Sequence, residues 1–417
     1  MNNTLVGFLI TLVLLSCTAK TEKINISDLD IPGTFLGDST KRSGCTYFTT
    51  DHNGSPVLSF TAGTPDSTYL FYATYDTVRK SFNLPVRIAA SLGTDYHEES
   101  MNKVAFKNDG TIVAAWEIKH PTPKNKYAGS LRYTQSYDDG KTWAKPAYLH
   151  TDTSAENSRG FFDLVTLPDG EVGAVWLDGR HQLGEAGSSL FFAKTKENLG
   201  FQSDYQIAET VCQCCRTDLY TDTNNVVHIT FRDIDVSAKG QVRDITYLQS
   251  SNSGDTFTTG KKISNDNWII DGCPHTGASM ASVGNNLMTT WFTSGGTPGI
   301  YTTVSTGGGQ QFQSRKLLSE QGRHPQMTAK DSIIYVVWDE YNPVTTHHHA
   351  GHEHNEISQG KNSITLMVLN VLDGSTTHYT LDQDGGSFPV VHVKDNIVLV
   401  AYTLNHQLVI KGVDVVL

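Results

Sequence analysis

The stretch ETVCQCCRTDLYTD (residues 209–222) puts Cys212, Cys214 and Cys215 within four positions, with Arg216 directly after them. Cys273 and His275 follow further along a chain that holds only six cysteines. Thiolates and imidazoles together suit copper(I) or zinc. Neighbouring thiols in an oxidising compartment instead pair as disulfides. A guanidinium beside them suits a third chemistry, the bidentate grip of a carboxylate or another oxyanion. Arg159 and Arg323 are further candidates for that grip. Glu98, Glu99, Asp163 and Asp218 are candidate proton donors, and Tyr47 is a candidate nucleophile with a carboxylate to assist it. Which chemistry applies depends on what the rest of the chain brings together.

The elements that must position these residues form an internal repeat. Seven stretches share one pattern: a polar entry, an alternating strand, a tight turn, then an apolar strand ending in an aromatic. EESMNKVAFKNDGTIVAAW and RGFFDLVTLPDGEVGAVW are clear copies. The terminal aromatics are Phe60, Trp116, Trp176, Phe231, Trp291, Trp338 and Tyr402. The turns fall at Asn53-Gly54, Asp109-Gly110, Asp169-Gly170, Asn224-Asn225, Asn285-Asn286, Asp331-Ser332 and Asp395-Asn396. These are residue types that accept the positive φ of a tight hairpin turn. The second strands are near-continuous apolar runs, as strands buried on both faces require.

A second strand pair follows each hairpin. In SLRYTQSYDDGKTWAKPAYL, Ser136, Asp138, Gly140, Thr142 and Trp143 spell S-x-D-x-G-x-T-W. Degenerate copies lie at Ser250, Asn252, Gly254, Thr256 and Phe257, and at Ser305, Gly309 and Phe312. The motif resembles the Asp-box, or bacterial neuraminidase repeat, and the chain resembles sialidase-like Asp-box proteins over nearly all of its length. The expected role of the box is structural: its Asp caps a turn and its aromatic packs between sheets. Radially repeated four-stranded units predict an all-β propeller. Seven blades follow from the repeat count; six, the usual number in the resembled superfamily, is the alternative. Too little chain remains after Tyr402 to finish the last blade, so KINISDLDIP (residues 23–32) is expected to supply its outer strand and close the ring.

In a propeller the entries to the first strands share one face with the loops joining second to third strands. That face collects Cys45, His97, Glu98, Glu99, Arg159, the 212–216 cluster, Cys273, His275, Arg323 and His324. Its loops add Asp178, Arg180 and His181, then Arg232, Asp233, Arg243 and Asp244, and the run HHHAGHEHNE (residues 347–356). The opposite face carries plain Asn, Asp and Gly turns.

Three readings of this face stay open. The resemblance to sialidases implies an acidic glycan or other anionic small-molecule ligand, hydrolysed or bound in a central pocket. Arg159, Arg216 and Arg323, at the entries of three blades, could then clamp its carboxylate. Alternatively Cys212, Cys214, Cys215, Cys273 and His275 bind copper or zinc, with the histidine-rich loop as a weaker capture site. Or the cysteines form disulfides, Cys273 to the cluster or Cys214 to Cys215, in a propeller that serves as an interaction platform.

The N-terminus reads as a targeting segment. LVGFLITLVLL (residues 5–15) is too short to span a bilayer comfortably. It runs into LLSC, which resembles a bacterial lipobox and makes residues 1–16 a signal peptide. Cys17 is then the lipidated residue, residues 17–22 a tether, and residues 23–417 one domain. The resemblance implies an outer-membrane lipoprotein that meets the membrane through its acyl chains alone. Five cysteines remain after lipidation, an odd number, so at least one is expected to be free or a ligand. A formal net charge of −11 without a basic run argues against nucleic acid as a partner.

Overall fold

The computed structural model describes residues 24–33, 40–180, 187–237, 240–343 and 360–415. Cys17 and the rest of the leader, His181 and the run 347–356 lie outside them. Among the described residues no helix is long and apolar enough to cross a membrane.

Among the described residues seven antiparallel blade sheets follow one another along the chain, and a two-stranded ribbon, Asp235–Ser237 with Gly240–Val242, lies between the second and third strands of the fourth. Their innermost strands are Arg42–Thr50, Lys103–Phe106, Arg159–Thr166, Asp218–Thr221, Ala278–Val283, Gly322–Lys330 and Ser387–Lys394, which begin blades 1 to 7. Blade 7 is completed by the N-terminal strand Asn25–Asp28, which pairs antiparallel with Gln407–Asp414, Ile26 opposite Val413. Seven blades and their N-terminal closure are therefore what the chain forms.

The core is a ring. Seven apolar clusters each join two neighbouring blades, the last joining blade 7 to blade 1 through Leu399 and Leu408 against Phe60 and Phe71. The aromatics that end the second strands are all at most 2% exposed, so they belong to this core and not to a ligand surface. The hairpin turns fall where the sequence places them except in blade 5. There Val283 pairs with Asn286, so Gly284 and Asn285 form the loop, and Gly284 takes the positive φ of 56°.

The Asp-boxes bind blades together. In the first, Asp138 accepts from the Thr142 amide at 2.8 Å and the Thr142 hydroxyl at 2.7 Å, while the Gly140 amide donates to Ser136 Oγ at 2.8 Å. The closed turn sets Trp143 edge-on to Tyr72 of the preceding blade, 6.3 Å between rings. Phe257 meets Phe192 at 5.0 Å and Phe312 meets Tyr247 at 5.1 Å in the same way. The box glycine must lack a side chain because its Cα abuts the same neighbouring ring: a Cβ at Gly140 would overlap the Tyr72 hydroxyl.

Ring closure makes a first testable prediction. A chain that starts after Asp28 leaves the Gln407–Asp414 edge unpaired, and open edges template association. It is expected to unfold at lower temperature and to self-associate in light scattering, relative to a chain starting at residue 24. An unchanged monomer with an unchanged melting temperature would show that this strand does not secure the ring.

Candidate functional site at the channel mouth

One backbone device shapes the mouth of the channel. Cys45, Phe161, His275, His324 and Phe388, at the entries of five blades, are non-glycine residues with φ of 47–52°. In four of these blades the ladder slips at that point, between Gly44 and Tyr47, Gly160 and Asp163, Arg323 and Gln326, and Ser387 and Val390. A bulge with a left-handed residue costs on the order of 1–3 kcal/mol per position and re-aims a side chain. Aromatic rings gather as a result: His97 lies 5.2 Å from Phe161 and 5.7 Å from His275, and His324 lies 4.0 Å from Phe388.

These rings border a cleft of about 520 Å³, whose lining includes Arg42, Tyr96, Glu98, Glu99, His275 and His406. Glu98 accepts from the Cys45 amide at 2.7 Å, from Thr403 Oγ1 at 3.0 Å and from the Tyr96 hydroxyl at 3.1 Å. Burial nevertheless raises its carboxyl above the ordinary range, outweighing those three donors. Arg42 stacks on the Tyr96 ring at 4.3 Å. Burial opposes a charge on His324, but Asp339, 2.7 Å from its Nδ1, outweighs it and raises its pKa. A cavity of similar size, about 530 Å³, opens near the blade 7 turn at Lys394 and Asn396. It lies on the face of plain turns and holds no comparable set of acids and imidazoles.

Beneath the cleft, Arg216 crosses the channel. Its Nη1 donates to Glu99 Oε2 at 3.1 Å, and its Nη2 reaches the carbonyls of Pro325 at 3.1 Å and of Gly277 and Ala278 at 3.5 Å. Around the inner strands themselves sits a further charged group. Lys103 Nζ donates to the carbonyls of Phe162 and Met101 at 2.7 and 3.0 Å and lies 3.7 Å from Asp163. Asp163 accepts the Leu219 amide of blade 4, and Asp218 accepts the Met280 amide of blade 5. The Tyr47 hydroxyl donates to the Leu164 carbonyl at 3.4 Å, and burial, then the charges of Asp163 and Asp218, hold its pKa well above the usual phenol value.

The cysteines gather as a second feature of the mouth. The Sγ atoms of Cys212 and Cys215 are 2.6 Å apart, and those of Cys212 and Cys214 are 3.8 Å apart. Cys214 also lies with Cys273 and His275, all three ligand atoms within 4.8 Å of one another. Arg243 Nη1 donates to Cys212 Sγ at 3.1 Å. Burial raises a thiol, yet hydrogen bonds from Cys214 and Cys215 and the Arg243 charge bring Cys212 well below the ordinary value. Cys45, Cys212, Cys214, Cys215 and Cys273 are all free, so neither a Cys273 bridge nor a Cys214–Cys215 bridge is formed among the described residues.

Measured against the sequence reading, the structure brings Glu98, Glu99 and His275 to the cleft and unites Cys212, Cys214, Cys215, Cys273 and His275 beside it. It does not assemble the arginine clamp. Arg159 has no side-chain exposure and is held by Asp152 at 2.6 Å and Asp178 at 3.3 Å. Arg216 is committed to Glu99 and three carbonyls, and Arg323 lies on the Phe292 ring at 3.9 Å. Tyr47 and Asp218 do not line the cleft; they belong to the Lys103 group. Arg42, the cleft's own guanidinium, was missed. The signal was the basic pair Lys41-Arg42 just ahead of the entry residue Cys45.

With fold and site in view, the class is plain. The chain belongs to the BNR repeat-like domain family, whose model matches residues 71–322. Among solved structures it is similar to a protein of unknown function from Dyadobacter fermentans DSM 18053, at 16% identity and a TM-score of 0.51, covering 78% of this chain and 97% of that one. It is also similar to the polysaccharide lyase Uly1, at 11% identity and a TM-score of 0.53, covering 88% and 89%. The Hadza microbial sialidase Hz136 aligns at 14% identity and a TM-score of 0.49, covering 84% and 74%. At these identities the likenesses speak for the fold. No curated protein matches the chain.

Proposed function

We propose that the channel-mouth cleft binds an acidic glycan and that Glu98 is the proton donor for its cleavage, in a protein held in the bacterial envelope by a lipid on Cys17. The observation that carries this reading is the state of the cleft wall. Arg42 and Glu99 line the cleft, and Arg42 Nε and Glu99 Oε1 have no hydrogen-bond partner in the fold, a donor and an acceptor that a small shift of these side chains would offer to a sugar carboxylate and hydroxyl. Beside them a carboxyl is held in its protonated form toward higher pH by burial, as a general acid requires. The rings of His97, His275 and Phe388 offer flat faces for the C–H edges of a sugar. The grip differs from the three-arginine clamp, because Arg159 is spent inside its own blade.

The test is a panel of oligosaccharides with and without uronic or sialic acids. Arg42→Ala is expected to weaken binding of acidic members about tenfold or more, the loss of one charge-assisted bond of about 1.5–3 kcal/mol. Glu98→Gln is expected to keep binding and to lower turnover by roughly 10²–10⁴-fold. Equal binding of neutral and acidic sugars, or none by the lipidated protein, would remove the reading.

A further inference from the structure

We propose that Cys214, Cys273 and His275 form a binding site for a thiophilic d¹⁰ cation, Cu(I) or Zn(II), on the rim of the cleft. The inference rests on the thiol cluster and is independent of the glycan reading. Three ligand atoms from two blade entries, all within 4.8 Å of one another, stand close to the spacing a shared cation imposes. Metal–sulfur bonds of about 2.3 Å place two thiolates roughly 3.8 Å apart. Two thiolates and an imidazole are a donor set for zinc with an open position, and a soft three-coordinate set for Cu(I).

The surroundings favour these three over other groupings of the same residues. Cys212 and Cys215 are also near, but their sulfurs are 2.6 Å apart, too close for each to bond one cation separately. They stand in C-x-x-C spacing and belong together as a thiol pair, with Arg243 donating to Cys212 Sγ. Cys214 is the thiol left over, and it is the one within reach of Cys273 and His275. It is buried against Phe161 and Ile234, while Cys273 and His275 are exposed. One fixed ligand beneath two accessible ones gives a cation a way in without unfolding the blade. His275 also lines the cleft, so the open coordination position lies beside the bound ligand's path.

The test uses the full chain, reduced and without an added histidine tag. One arm titrates Cu(I) against a chromogenic chelator; the other titrates Zn(II) against a zinc indicator. Retention of one equivalent of either ion supports the proposal and names the ion. X-ray absorption of that complex is expected to show two sulfur donors and one imidazole nitrogen. The exposed pair Cys273→Ser/His275→Ala is expected to weaken the retained ion at least 100-fold. The circular dichroism spectrum should be unchanged. Retention undiminished in that variant, coordination by nitrogen alone, or no ion retained by the reduced wild type would each overturn the proposal. The run 347–356 holds no sulfur, so capture there would show as nitrogen-only coordination. No glycan enters the measurement, so its failure leaves the cleft reading standing.

Discussion

An Arg216→Ala protein unfolds with about 3–5 kcal/mol less free energy than the wild type. The size follows from where the guanidinium ends. Its side chain is 5% exposed and its partner Glu99 is 2% exposed, at 3.1 Å. Its Nη2 meets carbonyls of blades 5 and 6, while Glu99 enters from blade 2. One side chain from blade 4 therefore ties four blades across the channel. Truncating it strands a buried carboxylate and leaves three carbonyls short of a donor. Those costs are larger than what the intact pair gains over an apolar replacement. Adding Glu99→Gln to Arg216→Ala is expected to restore part of the loss, because it removes the uncompensated charge. Denaturant unfolding of the wild type and the two variants measures it. A loss below about 1 kcal/mol would return Arg216 to the ligand-binding role that its place in the sequence suggests.

The contrast between these two roles shows what a sequence can carry. The blades were legible because each is a local pattern: alternation, a Gly, Asn or Asp turn, an apolar run, an aromatic stop. The Asp-box was legible for the same reason, since its hydrogen bonds run between residues four apart. Closure by residues 23–32 could be inferred from the missing strand of blade 7. The site was only half legible. That entry residues face one mouth follows from topology, and it brought Glu98, Glu99, His275 and the cysteines together. What each charge is paired with does not follow from topology. Arg159 lies opposite Asp178 in its own ladder, so its partner was in view two residues beyond Trp176. Arg216 finds Glu99 across the channel, and Lys103, inside the apolar strand KVAF, finds Asp163 one blade away. Such pairs depend on the curvature of the whole ring, which no local pattern encodes.

Lys103→Met is the substitution whose cost should change most with pH. Lys103 and Asp163 are 1% and 3% exposed and 3.7 Å apart, so the pair is buried and close. Removing the cation is expected to cost about 3–5 kcal/mol at pH 8. Burial pulls Lys103 down to about 8 against the attraction of Asp163. Burial, then the neighbouring Asp163 charge, pushes Asp218 up to about 8. The Lys103 ammonium thus faces two carboxyls, Asp163 and Asp218, that burial pushes upward. A carboxyl whose folded pKa exceeds its unfolded value, near 3.9, takes up a proton on folding. Its contribution is whole below about pH 4 and is lost as pH climbs toward the folded value. In the wild type burial raises both Asp218 and Asp163, and the Lys103 charge holds Asp163 back. Without Lys103 the Asp163 carboxyl loses its cation and rises further, so its proton uptake on folding persists to higher pH. The Lys103→Met deficit should therefore widen steadily from pH 5 to pH 8. Lys103 itself contributes the opposite slope only above about 8, where the folded wild type releases its proton before the unfolded chain does. Paired unfolding curves at pH 5 and pH 8 decide the matter. An equal deficit at both would mean that Lys103 acts through its methylenes and its bonds to the Met101 and Phe162 carbonyls, and not as the counter-ion of Asp163.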